Sequence, residues 1–119
     1  MDLPKQVQDR LMQFQNIQNQ LQMIVYQKQQ LIMQNNELEN AASELEKPGV
    51  GKVYKASGPL FIETRKDESQ KDVKETRETN DARIKLIEKQ EAKLTEKSKE
   101  MREELEGALK GYSKPKDAG

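Results

Sequence analysis

The sequence contains no cysteine, no histidine and no tryptophan, and only 4% of its 119 residues are aromatic. Without cysteine the chain can form neither a disulfide framework nor a thiolate metal site. Without histidine it lacks the side chain that most often acts as a general base near neutral pH. These absences argue against an enzyme, and we expect no catalytic residue, no metal and no cofactor.

The chain also lacks net charge and long apolar runs. Its 21 basic residues balance its 21 acidic residues, so it has no excess positive charge of the kind that nucleic acids or acidic membranes attract. No apolar run approaches the roughly 18 residues of a membrane span, and no signal-peptide pattern precedes Asp2-Leu3-Pro4. We therefore expect a soluble cytoplasmic protein whose main partners are neither nucleic acids nor membranes.

What the sequence does contain is a heptad pattern. Only 33% of the residues are hydrophobic, which is too few for a compact core but enough for a narrow seam between two helices. In two long segments the seam residues recur at alternating steps of three and four, which is typical of a coiled coil. The first segment has the columns Val7, Phe14, Leu21, Lys28, Asn35, Ala42 and Ile17, Ile24, Leu31, Leu38, Leu45; the second runs through Val73, Arg77, Asn80, Ile84, Ile87, Glu91, Leu94, Ser98, Met101, Leu105, Ala108 and Tyr112.

The breaks in this pattern divide a single domain into four parts. A first helix is predicted over 5–46, because Pro at position 4 suits a helix start and a Lys-Pro-Gly sequence follows the last seam residue. Residues 47–66 are rich in β-branched and aromatic residues around a Gly-Pro pair, which predicts a β-hairpin. A second helix is predicted over 67–111, ended by a glycine, and 112–119 is expected to be a flexible polar tail. The predicted fold is mainly α: a long antiparallel two-helix coiled coil with one β-hairpin between the helices.

Folding back at the hairpin makes the pairing of the helices testable. If the turn centres near Ser57 and Gly58, Asn35 faces Asn80 across the seam. A polar layer in a coiled coil reduces stability but selects one register, so we expect this pair to fix the alignment; the alternative is that both side chains point to water. The same fold-back pairs Val7 with Ala108, Phe14 with Met101, Leu21 with Leu94 and Ala42 with Val73, and Lys28 with Ile87 is the exception.

The hairpin predicts an oligomer. An isolated two-stranded hairpin is only marginally stable in water, and this one has two free edges and bulky apolar residues. We expect hairpins from other chains to complete its sheet and to join into an oligomeric β-barrel, although a loop with accidental β propensity is an alternative. The residues expected to take part in assembly are Val53, Tyr54, Ala56, Gly58, Leu60, Phe61 and Ile62.

These residues also carry a resemblance to a known family. The chain resembles the β-class subunits of prefoldin, particularly those of archaea, over essentially its whole length. The resemblance lies in Leu3-Pro4 with Val7-Gln8, in Gln27-Lys28-Gln29 of the Gln-rich first helix, in Val53-Tyr54-Lys55 before Gly58-Pro59, and in Arg83, Glu88 and Gln90-Glu91 of the second helix. The α-class subunits have two hairpins, whereas this chain has room for one.

The resemblance implies both an assembly and an activity. The expected assembly is a hexamer of two α-class and four β-class subunits, whose hairpins form a double β-barrel. The expected activity is that of an ATP-independent chaperone, which holds unfolded polypeptides at the tips of its coiled coils. Such a chaperone passes these client polypeptides to a group II chaperonin.

The sequence suggests where clients bind. Fold-back brings the start of the first helix and the end of the second together, and apolar residues there either lie exposed or let the ends open. The ordinary alternative is that a few of them are isolated surface residues. The predicted client-binding tip comprises Leu3, Val7, Leu11, Met12, Phe14, Leu105, Ala108, Leu109 and Tyr112.

Two other classes of protein fit parts of the pattern. A coiled-coil scaffold or tether requires only the ends of a rod, and would need neither a hairpin with free edges nor apolar tips. A helical arm that binds RNA would carry a basic stripe, which the sequence lacks. Suppression of the aggregation of a denatured protein without ATP distinguishes the chaperone from both.

Overall fold

The computed structural model describes residues 3–113, which form two long helices separated by a β-hairpin. The elements follow the order α1 (Lys5–Glu46), β1 (Val53–Ser57), β2 (Leu60–Thr64) and α2 (Lys66–Ser113). This order confirms the predicted mainly α fold with one hairpin between the helices. No helix in this described part of the chain has the apolar stretch that crossing a membrane requires.

The start and end of α1 follow from proline and glycine. Its first backbone hydrogen bond is donated by the Gln8 amide to the Pro4 carbonyl oxygen, at 3.0 Å, so Pro4 lies where its missing N–H is not needed. After Glu46 the chain passes through Pro48 and Gly49, which has a φ of 81°. Because this conformation disfavours side chains with a Cβ, Gly49 suits the turn that leaves the helix.

Helix α2 is longer than the sequence predicted. It starts at Lys66, with the Ser69 amide donating to the Arg65 carbonyl oxygen at 3.0 Å, and it continues past Gly111 to Ser113. Glycine lowers helix stability by only about 1 kcal/mol relative to alanine, so a single glycine need not end a helix. Of the predicted tail, 112–119, the first two residues are helical and the other six lie outside the described residues.

The chain forms two compact units, each containing a stretch of both helices. The first unit comprises 3–27 with 87–113, and the second is Lys28–Leu86. In the first unit the Gln18 side-chain amide donates to Ser98 Oγ at 2.9 Å, and Ile24 and Leu94 line one groove. In the second, Asn35 contacts Asn80, and Ala42 and Val73 line one groove. In both units the helices therefore run antiparallel.

Burial along the helices follows the heptad pattern. Every predicted seam position of α2 from Val73 to Ala108 is buried or half-buried, while every other position of 70–111 is exposed. Both predicted columns of α1 are likewise buried or half-buried. The most buried apolar side chains are Val7, Ile17, Leu45 and Leu105, and all four retain some exposure. The core is thus a thin seam, as the low hydrophobic content requires.

The hairpin has a simple antiparallel register. Val53 pairs with Thr64 at its base and Ser57 with Leu60 at its turn. Gly58 begins the two-residue turn with a φ of 58°, a left-handed conformation that favours glycine. Since paired residues point to the same side of a sheet, this register determines which apolar side chains share a face.

Candidate interaction surfaces

The candidate sites of this protein are exposed apolar surfaces on the hairpin and on the helices. Within residues 3–113, no group of three acidic side chains converges in a way that could hold a metal ion. All buried side-chain nitrogen and oxygen atoms among these residues have hydrogen-bond partners. The buried polar groups therefore belong to the structural seam, and the functional candidates lie on the outside.

The first candidate is the hairpin surface, which we define as Tyr54, Leu60, Phe61 and Ile62. All four side chains are exposed, and Phe61 has a fractional exposure of 77%. The register places Leu60 and Ile62 on one face of the hairpin and Tyr54 and Phe61 on the other. Fully burying one large apolar side chain contributes about 1.5–3 kcal/mol. Burial of both faces by another chain would therefore be favourable by several kcal/mol, and this chain alone does not bury them.

The helices contact only part of the hairpin. Val53 and Thr64, at the base, are half-buried. Lys55, on the same face, approaches Asp72 of α2 at 4.0 Å between Nζ and Oδ2, but both groups are well exposed, and such pairs contribute little to stability. The remaining predicted assembly residues, Ala56 and Gly58, are exposed beside Phe61 and in the turn. Their part in assembly stays a prediction.

The second candidate is the end surface, which we define as Leu11, Met12 and Leu109. These side chains are exposed on the part of the first unit where α1 begins and α2 ends. These side chains are apolar, and that of Met12 is also flexible and polarizable. Among the tip residues whose side chains the structure describes, these three are the exposed ones.

Two residues of the predicted client-binding tip are buried in the seam, as their heptad positions predict. Val7 and Leu105 are only 8% and 5% exposed, so they stabilise the seam and do not form part of an accessible surface. The reason is that regular helix extends beyond both residues, and the seam therefore stays closed around them. Leu3, Phe14 and Ala108 are half-buried, and the side chain of Tyr112 lies outside the described residues.

A third group of exposed apolar side chains was missed by the sequence prediction. Met23, Tyr26 and Met33 all lie exposed on α1, outside the two seam columns. The sequence carried a signal for two of them, because Tyr26 and Met33 are separated from Met12 by multiples of seven and so share one outward heptad position. The prediction overlooked it because it sought exposed apolar residues mainly near the helix ends.

The polar layer of the second unit contains more residues than the sequence suggested. Asn80 is 4% exposed, and its side-chain amide donates to Asn35 Oδ1 at 3.0 Å and to Gln34 Oε1 at 2.9 Å. The Asn35 amide in turn donates to Asp81 Oδ1 at 2.8 Å. The two asparagines therefore face each other, while their role in selecting the register stays a prediction.

The comparisons with known proteins agree with this architecture. A family model described as a prefoldin subunit matches residues 8–112. The prefoldin subunit beta of Thermococcus gammatolerans is 39% identical over 110 residues, covering 92% of this chain and 94% of that protein. The corresponding protein of Methanosarcina acetivorans is 37% identical over 109 residues, with coverages of 91% and 93%.

Solved structures show the same fold. The crystal structure of the prefoldin beta subunit from Thermococcus strain KS-1 matches with a TM-score of 0.76 and 38% identity, covering 91% of this chain and 96% of that chain. The beta2 subunit from the same strain matches with a TM-score of 0.70 at 24% identity, which supports the fold alone.

Two antiparallel helices joined by one exposed hairpin, with matches across nine-tenths of the chain, define a coiled-coil chaperone subunit. The chain belongs to the prefoldin family, and the relatives from T. gammatolerans and M. acetivorans are β subunits. The resemblance that the sequence indicated is confirmed.

Proposed function

We propose that this chain is part of an ATP-independent holding chaperone, which binds unfolded polypeptides at the end surface and delivers them to a group II chaperonin. The observation that supports this most directly is the exposure of Leu11, Met12 and Leu109 together on one end of a helix pair. An unfolded chain offers apolar side chains in no fixed arrangement. A shallow surface of Leu and Met can accommodate many such arrangements, because neither side chain demands a particular partner geometry.

The energetics fit reversible holding. Each apolar side chain buried against a client contributes about 1–2 kcal/mol, so one end surface binds weakly. Several copies acting on one client raise the effective affinity without any new contact. Binding of this kind requires no nucleotide, because apolar burial supplies the free energy and separate weak contacts allow release.

The hairpin surface supplies the means of bringing several copies together. Both of its faces expose large apolar groups, and its strand edges can pair with strands of other chains. We therefore propose that it joins this subunit to α-class prefoldin subunits and to further copies of itself, in a cytoplasmic hexamer of two α and four β subunits with a barrel of hairpins.

The test is suppression of aggregation by the assembled protein without ATP, followed as light scattering from a chemically denatured model protein. The wild-type assembly should suppress scattering at near-stoichiometric amounts. Leu11→Gln with Leu109→Gln should weaken suppression several-fold, and the matched control Leu86→Gln, at an exposed leucine of the second unit, should not.

Two results would overturn the proposal. One is an assembled wild-type protein that leaves aggregation unchanged, as a scaffold or tether would. The other is an end variant that assembles normally and keeps full suppression. Delivery is tested separately, by whether a labelled client leaves the assembly for a group II chaperonin when the two are mixed.

A further inference from the structure

In the first unit, helix α1 has an uncharged side. Between positions 11 and 27, α1 contains no charged residue, although 35% of the whole chain is charged. Over 87–113, α2 carries 13 charged residues out of 27. Exposed helix surfaces normally carry charges, so the outward side of α1 differs from α2 in its chemistry as well as in its sequence.

A groove between the two helices opens on this side. It has a volume of about 450 Å³, with the half-buried Ile24 and Leu94 and the exposed Met23 among its lining residues. Met23 is 63% exposed. The other lining residues are the amides Gln20, Gln27 and Gln90, with Lys93 as the only charged group. The groove thus combines apolar side chains with amides that can both donate and accept hydrogen bonds.

A polypeptide can bury this side of α1 with only a small loss of hydration free energy. Removing an ion from water requires several kcal/mol unless it is paired, and this side of α1 has no ion to desolvate between Leu11 and Gln27. A glutamine amide loses much less hydration free energy than an ion does. It recovers this free energy when it forms a hydrogen bond with a peptide N–H or C=O. A polypeptide backbone offers both groups, so the amides around the groove suit an extended chain.

The spacing of the apolar residues argues against a helix of a second copy as the occupant. A packed helix requires apolar contacts every three or four residues. On this side Met12 and Met23 are eleven residues apart, with Asn16 and Asn19 exposed between them, so a helical seam would be interrupted. An extended strand needs only an isolated apolar site flanked by hydrogen-bonding groups.

We propose that the uncharged side of α1, with the groove at Met23, is a second client-binding surface. It takes an extended, uncharged segment of unfolded polypeptide and receives one bulky apolar side chain between Met23 and Leu94. The surface continues from the end surface through Met12, so one client strand can occupy both. This inference rests on the proposed holding function and adds to it a site and a preferred class of segment.

The natural methionines allow a direct test by oxidation footprinting. The full chain in its assembled form is treated briefly with hydrogen peroxide, with and without a permanently unfolded, carboxymethylated polypeptide, and oxidation of each methionine is measured by mass spectrometry. Met23 should oxidise several-fold more slowly when the polypeptide is bound. Met33, similarly exposed on α1 but outside the groove, serves as the matched control and should not change.

The outcomes separate this inference from the function on which it rests. Protection of Met12 without protection of Met23 would overturn the inference and leave the holding function standing. No protection of either would count against both. Protection of Met23 that rises with protein concentration in the absence of the polypeptide would mean that a second copy covers the groove, and would also overturn the inference.

A pair of variants adds a second measurement. Met23→Glu places a charge in the groove and should weaken binding of the same unfolded polypeptide about tenfold, the equivalent of 1.4 kcal/mol. Met33→Glu makes the same change outside the groove and should leave the affinity within about twofold of wild type, a difference of less than 0.5 kcal/mol. Equal effects of the two variants would contradict the proposed site.

Discussion

Replacing both Asn35 and Asn80 with leucine should make the helix pair more stable and less strictly aligned. Asn80 is almost completely buried and donates to Asn35 and to Gln34. The double substitution removes this polar layer and places two leucines in a seam that is otherwise largely apolar. The groups that lose a hydrogen bond, on Gln34 and Asp81, lie on exposed residues, so water can replace the missing donors.

The size of the effect follows from two opposing contributions. Each leucine adds about 1–2 kcal/mol of apolar burial. The three lost hydrogen bonds subtract about 0.5 kcal/mol each, the low end of the usual range, because water replaces the donors lost by Gln34 and Asp81. We expect a net gain of about 1–2 kcal/mol for the double variant, or a rise in Tm of roughly 3–10 °C for a chain of this size. Either single variant leaves one asparagine without its facing partner, so each should be neutral or destabilised by about 1 kcal/mol.

The two effects need two assays. Thermal unfolding by circular dichroism, at one protein concentration for all four proteins, gives the stabilities and their non-additivity. Alignment is measured from the distance between spin labels at Glu39→Cys and Glu78→Cys, both exposed positions of the second unit, in a chain that otherwise has no cysteine. The distance distribution should be narrow for the wild type and broader for the double variant.

Either assay can contradict the expected role of the asparagine pair. A double variant less stable than the wild type would mean that the polar layer adds net stability. An equally narrow distance distribution would mean that the apolar seam alone fixes the register.

Three further outcomes are expected. Leu45→Ala, at a buried seam position, should lower the free energy of unfolding by about 2–4 kcal/mol. Leu86→Ala, at an exposed position, should lower it by less than about 0.5 kcal/mol. Urea unfolding measures both losses, and equal losses would contradict a core that is confined to the seam. Phe61→Asp with Ile62→Asp should dissociate the oligomer and keep the helical content, which light scattering and circular dichroism check; an unchanged oligomer rules out assembly through the hairpin surface. Gly58→Val should destabilise the hairpin turn by about 1–2 kcal/mol, because position 58 has a positive φ. Gly58→Asn should destabilise it less, and thermal unfolding compares the two variants. Similar Tm values would contradict the expected backbone strain at position 58.

Much of the fold could be predicted because a heptad repeat encodes which side of a helix is buried. The seam of α2 is buried along the predicted column, including its polar members Asn80 and Ser98. The start of α1 was predictable from Pro4. The end of α2 was not, because glycine in a helix is a weak signal whose effect depends on whether the turn needs a positive φ, and Gly111 has none.

The surfaces were less predictable than the seam. Heptad positions state which residues face the other helix, and they account for the burial of Val7 and the exposure of Met23. They do not state which exposed apolar side chains line a groove, as Met23 does. Likewise, Asn35 and Asn80 stood out as a facing pair, whereas Gln34 and Asp81 joined the layer only through their side-chain conformations. Patterns thus predicted the elements and their pairing better than they predicted the accessible side chains.

The most direct test of the holding function is the affinity of the assembled protein for one polypeptide in its unfolded and native forms, measured without nucleotide. A fluorescently labelled protein kept unfolded by carboxymethylation of its cysteines serves as the client, and its native, disulfide-bonded form serves as the control. The holding function predicts saturable binding of the unfolded form, weakened several-fold by Leu11→Gln with Leu109→Gln, and no measurable binding of the native form. Equal affinity for the two forms, or none for either, would contradict it.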